Sequence, residues 1–243
     1  MRFGQDMSPR CVLFDLDGVL IDSSSYHARA WQVAIHQMLR VQVSESLLME
    51  LEGRPPYSVL IEVARRYQLT IPLRGDLLNQ VCAYKDQLFM NSFRFTPIPG
   101  AVDLVNTLGR FGYRLGLATS NTRVLAEAML SRLGVQPAFM ALVTAEDMEM
   151  SKPFDEPYQK LLEKLGGNPE EALVIENSPF GIQSAQAAGL LCLAITSTHE
   201  AAFLDQAALV LPGLNEIQLL LEHDFQTTQG RGVWGFKGLI QHD

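Results

Sequence analysis

The chain has 243 residues, 47% of them hydrophobic, with a formal net charge of −8 and a sequence pI of about 5.1. That length holds one large or two modest domains and excludes a chain disordered throughout. The acidic balance argues against non-specific nucleic-acid binding, and three cysteines without a CxxC spacing exclude a complete disulfide framework.

No apolar run approaches the roughly 18 residues of a spanning helix, and the first ten residues lack the apolar centre of a signal peptide. A cytoplasmic protein with reduced thiols, and without nucleic-acid or membrane partners, is the expectation. Cys11–Phe14 reads as a short buried strand, broken by Gly18. Over residues 24–93 the texture changes to helical periodicity, interrupted at Gly53-Arg54-Pro55-Pro56 and at residues 72–75. Pro97-Ile98-Pro99-Gly100 then leads into a helix over 101–109.

Beyond it, strands are predicted at 115–118, 141–143, 173–175, 191–195 and 209–211. Helices over 124–133, 158–165 and 182–188 alternate with them, stopped by Gly134, by Gly166 and Gly167, and by Gly189. One further helix is expected between the last two strands and another after them. The alternation predicts an α/β fold: a Rossmann-like parallel sheet with helices on both faces, plus an inserted α-helical cap domain. The expected boundaries are 8–23 with 94–222 for the core and 24–93 for the cap. The tail, 223–243, is expected either to be disordered or to add an edge strand.

Four polar blocks follow or adjoin the apolar runs, and ligands of open α/β sheets bind where strand ends converge. Asp15 and Asp17 lie two residues apart, a spacing that puts both carboxylates on one face of an extended chain. Their repulsion calls for a cation, and Mg²⁺ prefers oxygen ligands. The bland alternative is a plain Asp-Gly turn. Thr119-Ser120-Asn121 ends a strand before a helix, suited to gripping phosphate oxygens or simply to capping. Lys152, before Pro153, is either a neutralising charge or a solvated surface residue. Glu176 and Asn177 offer metal-binding oxygens, and the bland alternative is a helix cap at Asn177 or Ser178. Taken together, four such strand ends in order point to a phosphate-handling site.

Asp15-Leu16-Asp17-Gly18-Val19, Thr119-Ser120-Asn121, Lys152-Pro153 and Glu176-Asn177-Ser178 with Gly181 resemble the four motifs of the haloacid dehalogenase-like hydrolases. The resemblance spans roughly residues 10 to 212. The helical stretch between the first two motifs is similar to the cap of the phosphoglycolate phosphatase and β-phosphoglucomutase branch. The resemblance implies that Asp15 is the nucleophile and Asp17 the general acid and base. It makes Thr119, Ser120, Asn121 and Lys152 the phosphate-binding groups. Mg²⁺ is implied as the cofactor, held by Asp15, Asp17, Glu176 and Asn177. One departure stands out: the branch commonly carries aspartate where Asn177 stands, so a weaker metal site is expected. Asp17 is replaced in the dehalogenases and phosphonate-cleaving members, so its presence implies phosphate esters as substrates.

Within the cap, His27, Arg54 and Lys85 are the substrate candidates. The arginine that mutases place three residues after the cap glycine is absent, since Pro56 occupies that position after Gly53. The expected activity is therefore Mg²⁺-dependent hydrolysis of a small phosphorylated metabolite, a sugar phosphate or phosphoglycolate, by a monomer or weak homodimer. A β-phosphoglucomutase-like phosphotransferase is the alternative, and a non-catalytic phosphometabolite-binding regulator stands third. A nucleotide-binding Rossmann module comes last, because no Gly-x-Gly-x-x-Gly follows the first strand.

Overall fold

Residues 10–69, 76–229 and 234–236 are described by a computed structural model of the chain. The chain divides into two units, Asp22–Thr96 and a second comprising Met1–Ile21 with Pro97–Asp243. The Asp22–Thr96 unit consists of Ser24–Leu39 (α1), Glu45–Glu50 (α2), Pro56–Arg66 (α3) and Asp76–Ser92 (α4), with no strand among its described residues. Apolar residues at helical spacing, including Trp31, Ile35, Leu47, Leu60, Val63 and Val81, make its core. Pro56 starts α3, where its missing N–H is no loss. The break expected at residues 72–75 lies outside the described residues.

The other unit is built on Cys11–Phe14 (β1), Arg114–Ala118 (β2), Phe139–Val143 (β3), Ala172–Glu176 (β4), Leu191–Ile195 (β5) and Leu209–Leu211 (β6). All pair in parallel, in the order β3-β2-β1-β4-β5-β6. Its helices are Ala101–Arg110 (α5), Arg123–Leu133 (α6), Glu156–Leu165 (α7), Pro179–Ala187 (α8) and Leu214–Thr228 (α9). Every residue of β1 is fully buried, which explains its unbroken apolar run. Cys11 and Leu13 share a cluster with Tyr158, Leu161 and Leu165 of α7 and Ile182 of α8. Val12 and Phe14 alternate to the other face.

Two expectations fail here. Between β5 and β6 there is only the short 3-10 turn Ala201–Phe203, anchored by buried Leu204, in place of a helix. The tail boundary at 222 is also wrong, because α9 continues to Thr228. Phe225 stacks on Phe111 with ring centroids 4.0 Å apart, and Asp224 pairs with Arg10 inside the protein. Trp234 and Phe236 beyond it are buried as well. These anchors come from partners far away in the chain, so periodicity gave no sign of them. Residues 230–233 and 237–243 lie outside the described residues.

Candidate active site

β1 hands its pairing to the residue after it: the Asp15 amide donates to the Ile175 carbonyl at 3.2 Å. Gly18 then takes φ +77°, a region that favours glycine, and its amide donates to the Ile21 carbonyl at 2.7 Å. The Asp-Gly turn therefore exists, and it carries the two carboxylates out of the strand end.

Lys152 arrives from the loop between β3 and α7. Its Nζ donates to Asp15 Oδ1 at 2.6 Å and to Glu176 Oε1 at 2.5 Å. A solvated lysine is ruled out, because its side chain is 2% exposed. Of the three, Glu176 is fully buried, while 12% of the Asp15 side chain remains exposed. Solvent or a ligand thus reaches the cluster through Asp15.

Glu176 is held from several sides. It is the last residue of β4, and its carboxylate also accepts from Tyr158 OH at 2.7 Å. The Asn177 and Ser178 amides donate to it at 3.0 and 3.2 Å, and the Ser178 hydroxyl at 3.1 Å. Both oxygens accept hydrogen bonds, with Oε1 shared between Lys152 and Tyr158. The carboxylate lies against Gly181: a Cβ built there would stand 1.8 Å from Glu176 Oε1. The need for glycine is steric closeness to this carboxylate.

The second block is also reassigned in part. Asn121 Nδ2 donates to Asp17 Oδ2 at 2.5 Å, so Asn121 orients the second acid. Its amide donates to Thr119 Oγ1 at 3.2 Å, while the buried Thr119 amide donates to the Val143 carbonyl at 3.0 Å. Ser120 lies between them, partly exposed. Capping of α6 falls to Thr122, whose hydroxyl accepts from the Leu125 amide. In the fourth block Ser178 caps α8 by accepting from the Gly181 amide at 3.1 Å. Asn177 is left with a different geometry. It is fully buried, its Nδ2 donates to Thr198 Oγ1 at 2.8 Å, and its Oδ1 has no hydrogen-bond partner.

Three acids, Asp15, Asp17 and Glu176, face one buried base. Burial pushes the Asp15 carboxyl up to about 7 against the pull of Lys152, with the Glu176 and Asp17 charges adding to the rise. Burial works the same way on Glu176, but Lys152 and the hydrogen bonds outweigh it and hold the carboxyl below its usual range. Burial also opposes the Lys152 charge, yet Asp15 and Glu176 overcome it and keep the ammonium above its usual range. Burial, then the Glu176 charge, drive the Tyr158 phenol well upward, so it stays a donor.

Among the described residues no cluster of three His, Cys, Asp or Glu side chains forms a ready-made metal cage. The donor set nevertheless fits a hard cation. Asp15 supplies an anionic oxygen, and the buried orphan Oδ1 of Asn177 is a carbonyl oxygen lacking a donor. The excess of negative charge is what such an ion would offset.

The cap candidates sit in their own unit. His27 stacks on Phe89 with centroids 3.8 Å apart. Lys85 is 5% exposed, bonds Asp86 at 3.0 Å and lies 5.5 Å from the Trp31 ring. Those contacts explain its burial without a substrate. Arg54 follows α2, its amide donating to the Leu51 carbonyl at 3.2 Å. Sequence reasoning missed Tyr158 and Thr198. Tyr158 carries the spacing of an ordinary core aromatic, and Thr198 sits in a segment without a pattern, so neither gave a signal.

A sequence model of the haloacid dehalogenase-like hydrolases matches residues 12–195. The validoxylamine A 7'-phosphate phosphatase of Streptomyces hygroscopicus subsp. limoneus is 30% identical over 216 residues, covering 86% of this chain and 96% of its own. Fructose-1-phosphate phosphatase YqaB of Escherichia coli (strain K12) is 27% identical over 181 residues, covering 74% of this chain and 92% of its own. A structure from Bacteroides vulgatus, provisionally assigned as a β-phosphoglucomutase, superposes with a TM-score of 0.79 at 30% identity, covering 89% of this chain and 88% of its own.

Proposed function

The chain belongs to the haloacid dehalogenase-like hydrolase family, and from that premise we propose that it hydrolyses phosphate monoesters of small sugar-like metabolites, with Mg²⁺ as cofactor. The observation that carries this reading is the buried Lys152 bridging Asp15 and Glu176, with Asp15 alone open to the outside. The two relatives are named as phosphatases of validoxylamine A 7'-phosphate and of fructose 1-phosphate, which supports that substrate class.

In this mechanism an Asp15 oxygen attacks phosphorus as the bond to the ester oxygen breaks. Asp17, oriented by Asn121, gives its proton to the departing oxygen. The product is an alcohol and a phosphorylated Asp15. Asp17, now ionised, takes a proton from water, whose oxygen attacks phosphorus and releases phosphate and free Asp15. Lys152 offsets the charge on Asp15 throughout, and Glu176 keeps Lys152 in place. Thr119 and Ser120 contribute hydrogen bonds to the phosphoryl oxygens. Asp15, the Asp17 carbonyl and Asn177 Oδ1 would hold Mg²⁺, which would supply positive charge to keep Asp15 ionised and to offset the phosphoryl charge. Substrate choice falls to the helical unit, with His27 and Arg54 as the residues to vary and Lys85 third because of its burial. No helix among the described residues is long and apolar enough to cross a membrane, and a cytoplasmic monomer or weak dimer fits this reading.

A phosphate-release screen over sugar phosphates, phosphoglycolate, pyrophosphate and nucleotides, with and without Mg²⁺, tests the proposal. Release that requires Mg²⁺ and vanishes in Asp15→Asn is expected. Silence across the panel with Mg²⁺ present would overturn it. The Bacteroides structure at 30% identity favours a second reading, phosphoryl transfer within a sugar phosphate. With β-glucose 1-phosphate, an isomerised sugar phosphate identifies a mutase and free phosphate a hydrolase.

A further inference from the structure

We infer that Thr198 is a positioning residue that selects which end of the Asn177 amide faces the cation. This rests on the Mg²⁺ reading above and concerns a problem peculiar to an asparagine ligand. A carboxylate presents an oxygen at either end, whereas an amide has one acceptor end and one end with two donors. Turned the wrong way, Asn177 would aim two N–H groups at the ion.

The surroundings select one orientation. Asn177 Nδ2 donates to Thr198 Oγ1 at 2.8 Å, and Thr198 Oγ1 lies 2.9 Å from His199 Nδ1. In the tautomer that carries its proton on Nε2, His199 Nδ1 accepts the Thr198 hydroxyl proton, and the Thr198 oxygen is left as an acceptor that the Nδ2 end satisfies. Oδ1 then faces away from Thr198, buried and without a partner. No capping duty explains that orphan, because Ser178 caps α8. The supporting segment is itself tied down: the neighbouring Ser197 hydroxyl donates to the Gly18 carbonyl at 2.5 Å, on the turn that follows Asp17.

Calorimetric titration of MgCl₂ into the metal-free full chain, with no substrate present, tests this. Thr198→Val keeps the shape and removes the hydroxyl, so that binding strands the buried Nδ2. Mg²⁺ affinity is expected to fall about tenfold, the scale of one net hydrogen bond. Thr198→Ser should restore it. Asn177→Asp should tighten Mg²⁺ binding, and in that background Thr198→Val should change affinity less than about twofold, because a carboxylate has no wrong end. The metal-free melting temperature of Thr198→Ser should match that of the parent. Equal weakening in both backgrounds, or none in the Asn177 background, overturns the inference while leaving the cofactor reading intact. A parent chain that binds no Mg²⁺ overturns both.

Discussion

The α/β unit contains two buried ion clusters, one before β1 and one after it, and they are built on opposite principles. Before β1, Arg10 pairs with Asp224, one base with one acid among the described residues, both inside the protein. The Gly235 amide donates to Asp224 at 2.6 Å, and the Trp234 ring centroid lies 4.5 Å from the Arg10 guanidinium carbon. After β1, one ammonium is shared between Asp15 and Glu176, with Asp17 close enough to disturb Asp15. A balanced cluster ties the α9 helix and Trp234 to the sheet. An unbalanced one stores a surplus carboxylate, the charge that the proposed cation would offset. Function here carries a cost in stability that the other cluster does not.

The largest expected contrast comes from removing each base. Lys152→Met should lower kcat by at least about 1,000-fold, the scale of a lost electrostatic group in a buried site. Arg10→Met should leave kcat of the folded protein within about twofold, yet cost about 3–5 kcal/mol in urea unfolding by stranding Asp224. Comparable activity losses from both variants would break the comparison.

Neutralising one acid in each cluster should move stability in opposite directions. Asp15→Asn is expected to abolish turnover while raising the melting temperature of the metal-free protein by about 5 °C near pH 8. Asp224→Asn should lower it by at least as much. Next in size is Gly181→Ala, whose new Cβ would collide with the Glu176 carboxylate. Overpacking of this kind costs about 1–3 kcal/mol, and the displaced Glu176 should take Lys152 with it, so activity and stability fall together.

The smallest effect is the pH slope. The Asp15 carboxyl is raised to about 7 in the folded chain, so the native state binds this proton more tightly than the unfolded one. Its stabilisation is complete at low pH and is lost as pH rises through about 7. Metal-free protein should therefore melt at lower temperature at about pH 8 than at about pH 6, and Asp15→Asn should flatten the difference. Glu176 is shifted the other way, so its contribution is lost only as pH falls below the usual carboxylate range, outside that window. Identical slopes in parent and variant would detach Asp15 from the surplus charge.

Much of the α/β unit was legible because its signals are local. Apolar runs of three to five residues marked β1, β2, β4 and β5, and Gly134 and Gly166 end their helices in the left-handed conformation that favours glycine. The polar blocks at strand ends singled out Asp15 and Lys152 for the same reason, and the two meet in the structure. The errors share another cause. Glu176 stood out as an acid at a strand end, but nothing local told that Tyr158 and the Asn177 and Ser178 amides ahead of α8 would bond it. Asn121 looked like a phosphate group, and its amide instead holds Asp17, 104 positions earlier. Lys85 looked available, yet Trp31 and Phe89 enclose it.

The order of residues by itself determined where strands, turns and helices form, and which charges stand at the strand ends. Periodicity and turn chemistry act over a few neighbouring positions. Which charge meets which, and which amide end is left open, was decided only when segments distant in the chain packed together. A hydrogen bond acts over about 3 Å, a distance that parallel pairing and helix packing set and that spacing along the chain does not encode.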